Sequence, residues 1–215
     1  MTRLWSKYRF VFTLAILVIY YTVGITVLLQ DGEEGGLIQL TPVTILLTSL
    51  FLLINHESWT LKLALALLLV FILGLSIEII GVNFGIPFGE YSYSGILGIQ
   101  LFNTPILIGL NWLMLVYAMV MVVHPYIQNN WLKALTACLV LVTLDVLIEP
   151  VAIDWNMWTW KKSDVPIQNY VTWGIVAFLF SLLVSFQLNS SNKNKMALPI
   201  ILFQFLFFVI LGIWS

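Results

Sequence analysis

Charge is scarce in this chain. Asp, Glu, Lys and Arg together make up 9% of its 215 residues, against about 25% in a soluble domain. That deficit excludes an ordinary water-soluble fold. A net charge of −1 offers a nucleic acid no basic surface. The single cysteine, Cys138, rules out a disulfide framework or a cysteine-built metal site, and inside an apolar run it reads as a small buried hydrophobe. Two histidines, His56 and His124, fall at turns and stand in no HxxxH or HxxHH spacing, which argues against a histidine-ligated iron oxygenase. There is no Walker A or GxGxxG loop for a nucleotide and no GxSxG of an α/β-hydrolase. The last apolar run lacks a lysine for a retinal Schiff base. No small-residue cleavage site follows the first apolar run, so that run reads as a span and not as a cleaved leader.

What is present is apolar. Hydrophobic residues make up 61%, and the mean hydropathy is +1.02. A span needs about 20 such residues. The pattern predicts an all-α integral membrane protein, a bundle of about seven transmembrane helices in one domain over 1–215. The spans expected are 10–29, 41–54, 59–80, 105–123, 132–149, 170–188 and 196–214, with Pro150 ending the fifth. An acidic loop with Asp31, Glu33 and Glu34 follows the first. With the N-terminus inside and the C-terminus outside, Arg3, Lys7, Arg9, Lys62, Lys133, Lys193 and Lys195 fall on the inner side, and only Lys161 and Lys162 on the outer. Two long aromatic loops, 81–103 and 151–168, then share the outer side. The first is rich in glycine and apolar enough to dip into the bilayer where protein or water satisfies its backbone.

Three carboxylates, Glu78, Asp145 and Glu149, lie near the outer ends of their spans. Ionisable groups there are costly and usually functional. Asp145 and Glu149 are four apart, hence on one helical face, where two like charges repel and one holds a proton. A neutral carboxylic acid is a general acid. Around the acids gather Phe84, Phe88, Tyr91, Tyr93 and Phe102 from one loop, and Trp155, Trp158, Trp160 and Trp173 from the other. Aromatic faces stabilise cations. Acid and aromatic walls in an apolar setting suit protonation of an alkene to a carbocation. Asn83, Asn103, Asn111 and Asn169 are candidates to position water, and Glu90 is a further carboxylate on the first loop.

Two separated blocks carry a family resemblance. One runs from Glu78 through Gly81, Phe84, Gly85, Pro87, Gly89, Glu90, Tyr91 and Tyr93 to Gly98, and on through Pro105-Ile106 to Trp112 and Tyr117. The other is Asp145-Val146-Leu147-Ile148-Glu149-Pro150 with Trp158, Trp160, Pro166, Asn169 and Trp173. Both resemble the membrane carotenoid-biosynthesis family that includes bisanhydrobacterioruberin hydratase and the γ-carotene 1′,2′-hydratases. The chain departs at Lys161-Lys162-Ser163-Asp164, where a glycine-containing segment is expected.

That resemblance implies a cofactor-free hydratase, without a metal, in the bacterial cytoplasmic membrane. Its partners would be membrane lipids and an acyclic carotenoid end such as that of γ-carotene or lycopene. One of Glu78, Asp145 and Glu149 would protonate C2 of the terminal double bond, with Glu149 or Asp145 preferred and Glu78 holding water. Trp158 and Tyr91 would face the cation. Water held with Asn169 or Asn83 would attack C1. A carotenoid cyclase starting from the same protonation and a non-catalytic carotenoid- or lipid-binding protein are the alternatives. Short loops and the lack of an inverted repeat count against a transporter.

Overall fold

The fold begins from a constraint of the bilayer: with no water to bond, each backbone N–H and C=O must find its partner within a helix. The structure, a computed structural model, describes residues 2–31, 37–162 and 164–214, apart from the side chains at 2–7, 31, 37 and 38. Seven helices follow in order: α1 Thr2–Asp31, α2 Thr41–Ile54, α3 Leu61–Phe84, α4 Ile106–Val123, α5 Asn130–Asp154, α6 Ile167–Ser185 and α7 Ala197–Trp214. Six are long and apolar enough to cross a membrane; α2, with 14 residues, is shorter. The protein is thus an all-α integral membrane protein. The acidic loop expected at Glu33 and Glu34 lies outside the described residues, as does Ser163.

Helix boundaries differ from the sequence reading at several ends, among them the start of α1 at Thr2 and the end of α6 at Ser185, and three of the differences have a backbone reason. Helix α3 does not stop at Ile80. It runs through Gly81 to Phe84 and ends at Gly85, whose φ of 69° is left-handed and whose N–H bonds Gly81 O at 2.8 Å. A glycine inside a helix costs about 1 kcal/mol relative to alanine, less than leaving backbone groups unbonded in lipid. Pro150 does not end α5, which continues to Asp154. Proline forfeits its own N–H bond, but Val151 and Ala152 beyond it are fully packed and hold the last turn in place. Helix α6 begins at Ile167, with Pro166 as its N-cap.

Helix α4 is the axis. It packs against α2, α3, α5, α6 and α7, and from Trp112 to Met121 every residue is buried. Three short antiparallel ladders lie at the ends of the bundle. At one end β1 (His56–Glu57) pairs with β6 (Lys193–Asn194), tying the α2–α3 turn to the α6–α7 turn. There His56 bonds Tyr117 Oη through Nδ1 and accepts from Asn192 Nδ2 at 3.2 Å. His124 bonds Asn189 O at 3.0 Å, and the buried Lys133 ammonium bonds His124 Nδ1 at 3.1 Å. Burial holds both imidazoles below the usual histidine range. These histidines bind the turns of the end away from the acids.

At the opposite end β2 (Tyr91–Tyr93) pairs with β5 (Trp158–Trp160), and β3 (Gln100–Leu101) pairs with β4 (Thr104–Pro105). Phe88 and Leu97 are buried where the first loop folds back onto the bundle. The close approach of α3 to α4 depends on glycine: a Cβ on Gly109 would stand 2.7 Å from the Phe71 carbonyl oxygen. Gly109→Ala must therefore part the two helices. It is expected to cost about 1–3 kcal/mol, read as a lowered Tm of the detergent-solubilised protein; an unchanged Tm would contradict this packing.

Candidate functional site: a three-acid pocket at the end of an apolar groove

Tyr-Ser-Tyr and Trp-Thr-Trp are patterns of period two. In a strand, alternate side chains share a face, so Tyr91 and Tyr93 point one way and Ser92 the other. The register places Tyr91 opposite Trp160 and Tyr93 opposite Trp158. The four rings meet at 5.0 Å for Tyr91 and Trp160 and 5.9 Å for Tyr93 and Trp158. The ladder thus presents four hydrogen-bond donors on one aromatic face, while Ser92 and Thr159 face outward.

Those donors meet the acids. Glu78 Oε2 accepts from Tyr91 Oη at 2.6 Å and Tyr93 Oη at 2.9 Å, and its Oε1 accepts from Trp112 Nε1 at 3.0 Å. Glu149 Oε2 accepts from Trp158 Nε1 at 3.0 Å and Trp160 Nε1 at 2.9 Å. Asn169 spends both N–H bonds on the remaining pair, to Asp145 Oδ2 at 3.0 Å and Glu149 Oε1 at 3.1 Å. All three acids are 2–3% exposed, so this solvation by donors replaces water. Burial, and then the Glu78 carboxyl, push the Tyr91 and Tyr93 phenols well above the usual tyrosine range, which keeps them as donors. Asp145 differs from the other two: among the described residues its Oδ1 accepts no hydrogen bond.

Glu78, Asp145 and Glu149 line one cavity of about 50 Å³, together with Phe88, Tyr91, Tyr93, Asn111, Trp112, Trp158, Trp160, Asn169 and Trp173. Trp112 stacks on Trp173 at 4.0 Å. Five sequence candidates lie elsewhere: Phe84, Asn83, Asn103, Glu90 and Phe102, the last 69% exposed. Phe84 is 74% exposed. Asn83 is exposed, and its amide bonds Ile79 O and Phe102 O, both at 2.8 Å, while its Oδ1 accepts from Asn103 at 3.1 Å. Glu90 pairs with Lys161 at 2.9 Å on the surface.

A second cavity of about 440 Å³ adjoins the first. Its lining is almost wholly apolar and comes from α1, α2, α4, α5 and α7, with Tyr20, Leu28, Ile45, Trp155, Phe207 and Leu211 among its walls. Along α1 it extends from Ile16 to Leu28, roughly 18 Å at about 1.5 Å per residue. Ile108, Asn111, Ile148 and Trp158 line both cavities, so the acid pocket opens into the groove. Sequence reasoning did not find this groove. Its walls are ordinary aliphatic and aromatic side chains of five spans; the one sign was Gln204, an isolated polar residue in the last span, which lines it.

These features define a class: a helical membrane protein with buried carboxyl groups and aromatic rings at the mouth of an elongated apolar site. The family model for carotenoid biosynthesis protein matches residues 37–214, and the chain belongs to that family. No curated protein and no solved structure matches it.

One glycine lets the loop reach the acid. A Cβ on Gly81, one turn from Glu78, would stand 2.7 Å from Tyr91 Oη and 2.8 Å from the Phe88 ring. Gly81→Ala is expected to lower Tm by an amount equivalent to about 1–3 kcal/mol and to change tryptophan emission as β2–β5 shifts. Gly95→Ala, with nothing within 4 Å, is the control, and equal Tm values for the two variants would contradict the contact.

Proposed function

We propose that the protein is a carotenoid 1,2-hydratase, adding water across the terminal double bond of an acyclic carotenoid end. The observation that carries this reading is the junction of the two cavities: a polyene lying in the groove brings its branched end among three carboxyl groups. The orientation that goes with it is N-terminus inside, from the lysine and arginine bias, with the acid pocket at the outer face.

Asp145 is the proton donor in this scheme. Every partner of Glu78 and Glu149 is itself a donor, three for each, and such a shell suits a carboxylate. Asp145 accepts one bond, from Asn169, and its Oδ1 has room for the proton that two acids one turn apart share. Asp145 gives that proton to C2. The alkene electron pair forms the C2–H bond and leaves a tertiary cation at C1. The faces of Trp158 and Trp160, whose edges are fixed by Glu149, stabilise the cation. Water attacks C1, and its surplus proton returns to the carboxylates, restoring the acid.

Pocket size favours hydration over cyclisation. An end group that coils to join C1 to C6 needs a larger chamber than one entering extended, and an acid cavity of about 50 Å³ admits only the tip of a chain.

Expression in a lycopene-producing host is expected to yield pigment heavier by the mass of one water per hydrated end, read by mass spectrometry. Asp145→Asn should lower the yield by about a hundredfold or more, the scale of a lost general acid. Pigment of unchanged mass would indicate cyclisation or no reaction, and full activity in Asp145→Asn, Glu78→Gln and Glu149→Gln alike would sink the scheme.

A further inference from the structure

The four asparagines that the sequence offers as water-positioning candidates lie near the acid end of the bundle, and the structure separates them by what their amides already bond. Asn83 and Asn103 bond each other, and Asn83 also holds two backbone carbonyls, all outside the pocket. Asn169 has given both N–H groups to Asp145 and Glu149. Asn111 makes no hydrogen bond among the described residues. It is half-buried on α4 and is the one polar side chain common to the linings of both cavities.

We infer that Asn111 seats the attacking water and so decides whether the cation leaves as an alcohol or reverts to an alkene. This rests on the acid-initiated reading above. An amide facing an apolar site without a partner forfeits the hydrogen bonds it would make in water, so it is placed for a partner that arrives. Water needs two to four polar neighbours to be held. Asn111 offers a donor and an acceptor, and Glu78 is lined up nearby: Trp112, the next residue on α4, donates to Glu78 Oε1. Ile108 and Ile148 complete the shared wall, so the water has an apolar side on which C1 is presented. Gln204 is the other amide of the groove that makes no hydrogen bond among the described residues. It lines the groove and not the acid pocket, so it does not face an end group held at Asp145.

The chemistry has two outcomes from one cation. With water seated, the O–C1 bond forms, the oxonium gives one proton to a carboxylate, and the sum is alkene plus water to tertiary alcohol. With no water seated, the cation loses a proton to the Asp145 carboxylate, from C2 or from a methyl group on C1. An alkene is regenerated and the acid is restored. In heavy water that return leaves deuterium on carbon.

Membranes containing the full chain are incubated with lycopene in heavy water, and the pigments are analysed by mass for hydration and for carbon-bound deuterium. Asn111→Leu is expected to lower hydrated product at least tenfold while the recovered alkene gains deuterium. Asn111→Ser, which keeps a hydrogen-bonding group, should recover part of the hydration. Hydration by Asn111→Leu within twofold of the unaltered protein would overturn the assignment. Loss of both hydration and deuterium uptake in both variants would also overturn it, because the effect would not be confined to water. An unaltered protein that neither hydrates nor incorporates deuterium would instead remove the acid-initiated reading on which the assignment stands.

Discussion

Three carboxyl groups in a low-dielectric interior must be solvated by something other than water, and the architecture of one end of the bundle follows from that requirement. The donors come from the two loops and from α4 and α6: two tyrosine hydroxyls and one indole for Glu78, two indoles for Glu149, and one amide spanning Asp145 and Glu149. The same bonds that satisfy the acids fasten the β2–β5 ladder over the bundle. Removing an acid therefore releases a loop, and displacing the ladder leaves an acid bare. Chemistry and loop structure share one set of contacts.

The remainder of the fold keeps this assembly in register with an apolar groove. Helix α4 lies at the centre and contributes Ile108 and Asn111 to the wall common to both cavities, and Trp112 to Glu78. Gly74 makes room for the Trp112 side chain, since a Cβ there would stand 2.8 Å from Trp112 Cβ and 2.9 Å from its ring. Pro87 O accepts from Thr172 Oγ1 at 2.9 Å and from Gln168, which pins the first loop to α6. At the opposite end the histidine, lysine and asparagine network holds the turns together and leaves the acids alone. In the proposed reading a long hydrophobic ligand lies along this mostly apolar groove, and its tip meets the acids.

Much of this was legible in the residues. Long apolar runs gave the helices because backbone bonding in lipid leaves few alternatives. The acids stood out because ionisable groups in spans are costly, and Asp145 and Glu149 had to share a face at a spacing of four. Tyr-Ser-Tyr and Trp-Thr-Trp were noticed as aromatic clusters, yet their strand pairing is a long-range contact that no local pattern dictates. Local breaker rules misplaced Gly81 and Pro150, where packing and the need for bonded backbone outweigh propensity. Glu90, equal to Glu78 by residue type, sits on the surface with Lys161. The groove was invisible because an aliphatic residue lining a cavity and one packed in a core are the same in sequence.

The central claim is that a carboxylic acid in this pocket protonates a carotenoid end and that water captures the cation. The most direct measurement is the origin of the atoms added, from turnover in heavy water and, separately, in ¹⁸O-labelled water. The account predicts one non-exchangeable deuterium at C2 and a solvent-derived oxygen at C1. A hydroxylated product lacking carbon-bound deuterium, or with its oxygen taken from O2, would contradict it.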